Sequence, residues 1–312
     1  MFHEPVLLPE VLEDLAVRPG QVVVDGTVGG GGHTQALCER AGPSGKVIGL
    51  DRDPEALAEA AQRLRGYGDR LVLIQENFAR LGIVLDGLSI VKIDSVLLDL
   101  GPSLHQLKSA ERGFGFGQEG PLDMRMNPAE AQGAKELLEK LSLADLERHF
   151  RQAGEARWAR PIARAIVRRR EEGRPLQTTA ELARLVEEVV PRRSWPREIH
   201  PATKTFLALR LLVNQELESL EAGLQAILPR LKPGGRLAVL TYHSLEDSLV
   251  KEFFRRESRG CICPPEVLGC RCGHQPQVRR LTRRPVRPTE AELERNPRAR
   301  SAKLRVAEKV GA

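Results

Sequence analysis

Three aspartates stand directly after short apolar runs: Asp25 after VVV, Asp51 after VIGL and Asp99 after VLL. Five of the seven residues that follow Asp25 are glycine, and His33 comes next. Glycine loses the most backbone entropy on folding, so such a run marks a place where something approaches the main chain closely. It does not complete the G-x-G-x-x-G spacing of a dinucleotide loop, because position 34 is Thr and position 35 is Gln. A carboxylate at Asp25 is also a poor neighbour for a diphosphate. It suits a ligand with an ammonium group, and S-adenosylmethionine has one and no phosphate. The competing reading is a turn that serves helix–sheet packing alone.

Asp51 is placed to bond both ribose hydroxyls of an adenosine, which nicotinamide and methionine cofactors share. Asp53 suits the cap of the next helix better. Phe78 is placed either to pack on an adenine ring or to serve as ordinary core. Asp99 and the Leu100 carbonyl are candidate acceptors for the N–H groups of an exocyclic amine. Accepting those bonds makes the nitrogen more pyramidal and more nucleophilic. A simple capping role for Asp99 is the alternative. His243, in YHSLED, either lines the same edge or holds a loop.

Cys261, Cys263, Cys270 and Cys272 crowd into one segment, with His274 nearby. Four thiolates can close a tetrahedral zinc site, but C-x-C is tighter than the usual C-x-x-C, and a reduced loop is the alternative. Either way the cluster reads as structural, and no metal is assigned to the catalytic site.

The elements that carry these residues alternate. VVVDGT, KVIGLD (46–51), LVLIQENF (71–78) and SVLLDLG (95–101) read as strands. Helical patterns lie between them, which implies a parallel sheet covered on both faces. EPVLLPEVLEDLAV reads as a short leading helix. From about 108 to 200 the pattern gives loops and helices with no convincing strand. A long helical pattern, 202–231, broken at most once, runs into KPGGRLAVLTYHS and a fifth strand. Residues 245–256 read as a helix, and QVRRLTRRPV and AKLRVAEKV as the last two strands. The expected organisation is a core of residues 1–108 and 202–312 with a helical domain, 109–201, inserted for substrate recognition.

The chain has 312 residues and a formal charge of +6. The excess is uneven: residues 148–170 hold eight arginines and one acid, and residues 279–309 hold eleven Lys or Arg against four acids. Guanidinium groups bind phosphate bidentately, so the clusters point to nucleic acid, unless they are merely solvated helix faces. No stretch approaches the ~20 apolar residues of a membrane span. The N-terminus lacks the pattern of a signal peptide, so the expected location is the cytoplasm.

Strand with acid, glycine run, strand with acid, strand, strand with Asp, then PGG and a strand is the layout of class I methyltransferases. HEPVLL, VDGTVGGGGH, GLDRDP, DLGPSLHQL, RGFGF, GPLDMRM, HPATKTFLALRLLVNQEL, HSLED and NPRARSAKLR together resemble the ribosomal RNA small subunit methyltransferase H family. The resemblance runs from residue 3 to about 308. It implies a Rossmann-like, class I α/β fold with an inserted helical domain, and S-adenosylmethionine as cofactor. It also implies methylation of cytidine N4 in the P-site region of 16S rRNA in the small ribosomal subunit.

By the same resemblance Gly31, Gly32 and His33 lie along the methionine moiety, Asp51 takes the ribose and Phe78 faces the adenine. Asp99 and Gln106 complete the pocket near the methyl group, with Asp99 catalytic. Arg112, Phe114 and Phe116 of RGFGF, with His243, are candidate substrate contacts. The chain departs from the family pattern at Pro102, Ser103 and Leu104, where Val-Ser-Ser is usual. It also departs at Gly115 for Ser, at Leu207 for Gln, at Tyr242 for Phe and at Ser248 for Arg. Two other classes share parts of the pattern. A nicotinamide oxidoreductase would share Asp51, and a non-catalytic RNA-binding assembly factor would share the arginines.

Overall fold

Strand-end aspartates can meet only if the strands that carry them run parallel. The computed structural model describes residues 5–311 apart from 198, 265 and 268; His3 and Glu4 of the HEPVLL motif lie outside the described residues. The chain begins with α1 (Leu8–Leu15), β1 (Val22–Asp25), α2 (Gly32–Ala41) and β2 (Lys46–Asp51). It continues through α3 (Pro54–Arg63), β3 (Leu71–Gln75), α4 (Leu81–Gly87) and β4 (Ile93–Asp99). α3 starts as its sequence dictates: Asp53 Oδ1 accepts the Glu55 N–H at 3.0 Å, and Pro54 fills the first helical position. The third strand is shorter than expected, because Asn77 caps a 3-10 turn that takes Phe78 out of it.

Six helices follow: α5 (Leu104–Lys108), α6 (Ala134–Lys140), α7 (Leu143–Gln152), α8 (Ala159–Glu171), α9 (Thr179–Val189) and α10 (Thr203–Val213). The chain then closes with α11 (Glu216–Ile227), β5 (Leu231–Thr241), α12 (Ser244–Glu257), β6 (Val278–Arg280), α13 (Glu290–Arg295) and β7 (Lys303–Lys309). The long helical pattern breaks between α10 and α11. There the buried Asn214 amide bonds the Met126 N–H and the carbonyls of Met124 and Arg210, and Gln215 turns to φ 47°.

The seven strands form one sheet in the order β3-β2-β1-β4-β5-β7-β6. β1 to β5 pair in parallel, and β7 runs antiparallel between β5 and β6. This is the Rossmann-like class I α/β sheet. Burial has a period of two. Val24, Ile48, Val96, Leu98 and Val239 face one core, while Val23, Val47, Leu97, Ala238 and Leu240 face the other. The winding direction reverses between β1 and β4, and ligands bind at such a switch point, beyond the carboxyl ends of the strands. Asp25 and Asp99 end the two strands that flank it.

The chain resolves into two compact units: Pro102–Glu216, and the two segments flanking it. The inserted unit thus takes in α5 and α10, beyond the 109–201 range expected from the pattern. It has a core of its own, in which Leu146, Phe150, Ile162, Leu182, Phe206 and Leu209 are buried together. Among its described residues extended pairing is confined to a single bridge, Pro121 with Thr178.

Candidate cofactor and catalytic site

The loop from Asp25 to Gly32 is fixed from below. Asp25 is wholly buried; its Oδ2 accepts the Thr34 hydroxyl at 2.7 Å and its Oδ1 the Thr27 N–H at 3.1 Å. Burial pushes its carboxyl up to about 6, against the lowering effect of those two donors and of His33. Asp25 therefore underpins the loop and sets a negative potential beneath it, rather than presenting its oxygens to a ligand directly.

The glycines divide by role. At Gly31 the backbone is left-handed (φ 79°), which favours glycine, and an added Cβ would lie 3.0 Å from Leu64 Cδ1, so conformation and packing account for glycine there without a ligand. At Gly29 (φ 50°) an added Cβ would meet nothing within 4 Å, so that stretch of main chain faces open space. The packing reading thus applies at Gly31, while the space beside Gly29 leaves room for the other.

Asp51 grips this loop. Its Oδ2 accepts the Gly29 N–H at 2.8 Å and its Oδ1 the Asp53 N–H at 2.9 Å. Burial pushes Asp51 up to about 6, opposed by those two backbone donors. Each oxygen keeps lone-pair capacity, so the group fits a pair of ribose hydroxyls. Phe78 is half-buried on its 3-10 turn. Two glycines make room for it: a Cβ on Gly223 would lie 2.5 Å from its ring, and one on Gly26 would lie 3.1 Å from its Cβ. A strand-end carboxylate, a half-buried aromatic and open space beside the Gly29 main chain together fit the expected adenosine cofactor with an amino-acid tail.

Asp99 is the centre of a network that the sequence only half disclosed. Its N–H donates to Thr27 Oγ1 at 2.6 Å, which ties the end of β4 to the loop after β1. The Tyr242 hydroxyl donates to Asp99 Oδ1 at 2.7 Å. Burial first, and then the charge of Asp99, hold the Tyr242 phenol well above its usual range, so it remains a donor. Asp99 Oδ2 lies 3.5 Å from His33 Nδ1. The His33 Nε2 is 3.0 Å from the Val6 carbonyl, which can only accept, so that nitrogen carries a hydrogen. Burial lowers the His33 pKa despite the opposing pull of Asp25. The ring is therefore neutral at physiological pH. Tyr242 was the missed residue. Its sequence signal is an aromatic hydroxyl at a strand end, next to His243.

His243 is a cap. Its Nδ1 accepts the Glu246 N–H at 3.5 Å and its own N–H donates to Glu246 Oε2 at 3.4 Å, a reciprocal box that starts α12, and the Tyr242 N–H donates to the same oxygen at 3.0 Å. Asp247 of the same motif holds β7: it accepts from Arg305 at 2.6 Å and Lys303 at 3.1 Å. Burial alone would raise its pKa, and these two cations hold it below the usual carboxylate value.

The remaining candidates lie in the other unit. Gln106 is buried as the third residue of α5, where its Oε1 accepts the Ser103 N–H at 2.9 Å in a capping box. Arg112 is 7% exposed, with its guanidinium on the carbonyls of Arg125 and Met126, and Phe114 is also 7% exposed. Neither presents a broad face to a base in this conformation. Phe116 is half-buried and stacks near His200 and Phe206, with centroids 4.6 and 4.9 Å away. A side chain on Gly113 would lie 2.2 Å from the Pro121 carbonyl oxygen, but one on Gly115 would come no nearer than 3.5 Å to Leu107 O. The serine usual at 115 is therefore sterically permitted here.

Comparison with known proteins agrees with this geometry. The signature of the MraW methylase family matches residues 1–310. A protein of Trichlorobacter lovleyi named ribosomal RNA small subunit methyltransferase H is 51% identical over 99% of this chain and 98% of its own. Proteins of the same name from Heliobacterium modesticaldum and Geobacter sulfurreducens are each 49% identical. They too align over 99% of this chain, and over 98% and 99% of their own. The chain thus belongs to the MraW methylase family and is a methyltransferase that draws on S-adenosylmethionine.

Proposed function

We propose that this methyltransferase acts on 16S rRNA in the cytoplasm and methylates N4 of a cytidine in the P-site region of the small ribosomal subunit. The observation that carries the reading is the Asp99 carboxylate, set at the end of β4 by bonds to Tyr242 and Thr27 and next to the glycine loop. S-adenosylmethionine, when bound, supplies an electrophilic methyl group on its sulfonium. Asp51 holds the ribose, Phe78 faces the adenine, and the main chain from Gly29 to Gly32, with His33, follows the amino-acid tail.

The lone pair of a cytosine amine is delocalised into the ring. Asp99, and the Leu100 carbonyl beside it, accept from its N–H groups and turn the lone pair toward the methyl. Most of the rate gain comes from this orientation. The target base must leave its stack to reach such a site. Phe116, the less buried phenylalanine of the RGFGF loop, is the aromatic proposed to stack on it, while Gln106 and Arg112 brace their own loops. The relatives' shared name, which specifies small-subunit ribosomal RNA, supports the substrate class. Exposed Arg283, Arg284, Arg287 and Arg298 supply positive charge for phosphates.

Replacing Asp99 with Ala tests the assignment. Turnover should fall by about a thousandfold or more, as when a group that acts mainly in the transition state is removed. Cofactor and RNA affinity, measured by calorimetry and filter binding, should stay within about threefold. Turnover close to wild type would remove Asp99 from the mechanism.

A further inference from the structure

The connection from α12 to β6, Ser258 to Gln277, carries no helix or strand among its described residues. Loops of this length inside a compact domain usually carry a function or a constraint of their own. Here four sulfurs come together. The Sγ atoms of Cys261, Cys263, Cys270 and Cys272 all lie within 4.8 Å of one another. Cys270 and Cys272 are 3.6 Å apart and Cys272 and Cys261 are 3.9 Å apart, and all four cysteines are free. A tetrahedron of Zn–S bonds of about 2.3 Å has edges of about 3.8 Å. Those two separations match that edge and are far too long for a disulfide of about 2 Å.

The backbone is arranged for thiolates as well. Ile262 N–H donates to Cys272 Sγ and Arg271 N–H donates to Cys263 Sγ, each at 3.4 Å, so each C-x-C turn donates to a sulfur of the other. Cys263 N–H donates to Cys261 Sγ, also at 3.4 Å. Such donors stabilise negative sulfur and orient metal ligands. Arg259 and Arg271 flank the ligands in sequence and offset the net negative charge of four thiolates on a divalent ion. Three of the four cysteines are exposed, where free thiols are open to oxidation.

We infer that Cys261, Cys263, Cys270 and Cys272 bind one zinc ion that pins the α12–β6 loop. Four protein sulfurs leave no open position, so the ion is structural. Iron also takes four thiolates, but methyl transfer needs no electron carrier, and redox-inert zinc is the occupant inferred.

The test uses the full-length chain, purified without added chelator and exchanged into metal-free buffer. Elemental analysis should give about one zinc per chain. The double variant Cys270→Ser/Cys272→Ser should lose at least about nine-tenths of it, and Cys38→Ser, the buried cysteine outside the loop, should keep it. Cobalt chloride added to the chelated wild-type chain should give the thiolate-to-cobalt charge-transfer bands of a four-sulfur site. Trypsin should cut after Arg271 at least about tenfold faster once the metal is removed. Iron in place of zinc would overturn the inference. So would wild-type protein that takes up no metal and shows four titratable thiols, or mass spectra that show two disulfides in the loop. The wild-type measurements stand even if the double variant folds poorly.

Discussion

Asp99 was legible in the sequence because a strand-end carboxylate beside a glycine loop is a chemical pattern. The phenol that holds it was not, because Tyr242 and Asp99 are brought together only by the pairing of β4 with β5. Tyr242→Phe removes one hydrogen bond to a charged partner, worth about 1.5–3 kcal/mol. It should lower kcat roughly 10- to 100-fold, leave cofactor affinity nearly unchanged and move the acid limb of the pH–rate profile to higher pH. An unchanged profile would reduce Tyr242 to packing. Asp51→Ala should weaken S-adenosylhomocysteine binding by about 10- to 100-fold, read by calorimetry.

Asp25 makes a different prediction. Burial pushes its carboxyl up to about 6, so the folded state keeps a proton that the unfolded chain releases near pH 4. The stability this contributes is complete below about pH 4 and is lost as pH rises through about 6. Asp51 acts in the same sense. In ligand-free protein Asp25→Asn, whose amide can still bond Thr27 and Thr34, should flatten part of that decline by about 1–3 kcal/mol. Urea midpoints at pH 4.5 and 7.5 would show it, and an identical decline in the variant would contradict it.

Among the elements, strands with apolar runs and helices with caps were read correctly, since hydrophobic period and capping chemistry are local. The ends of elements were less legible. PGG, expected as a turn before the fifth strand, lies inside the continuous β5, because pairing with β4 resumes past a shift in register. The place of the α10–α11 break was hidden because the buried amide of Asn214 causes it through contacts 88 and 90 residues away in sequence. The small residue at Gly223 also gave no signal, although α11 must pass against Phe78 there. Gly223→Ala should cost about 1–3 kcal/mol through overpacking and weaken cofactor binding about tenfold by displacing Phe78. Gly87→Ala, whose Cβ would meet nothing within 4 Å, is the control and should be neutral in both thermal melts and calorimetry. Equal effects of the two would show that Phe78 is not held in this way.

Across the whole molecule, the alternation of strands and helices disclosed the core sheet, and its interruption disclosed an inserted helical unit. Which helices belong to that unit was not legible, because membership depends on shared burial rather than on pattern. All the buried residues of its core lie between Leu122 and Val213, so a fragment of residues 102–216 should be helical by circular dichroism and unfold cooperatively. A non-cooperative melt would contradict that independence.

The charge reading changed more than the fold. Several arginines of residues 148–170 serve the unit itself. Arg170 caps the carbonyls of Leu138, Glu139 and Leu141, and Arg148 and Arg151 pair with Asp145 and Glu147. RNA contact through the exposed C-terminal arginines should still weaken as salt rises.

The most direct measurement is transfer of tritium from labelled S-adenosylmethionine to small ribosomal subunits that lack the modification, followed by nucleoside analysis of the 16S rRNA. The account predicts label in N4-methylcytidine with the wild-type chain and none above background with Asp99→Ala. Label in any other nucleoside, or equal transfer by the two proteins, would contradict it.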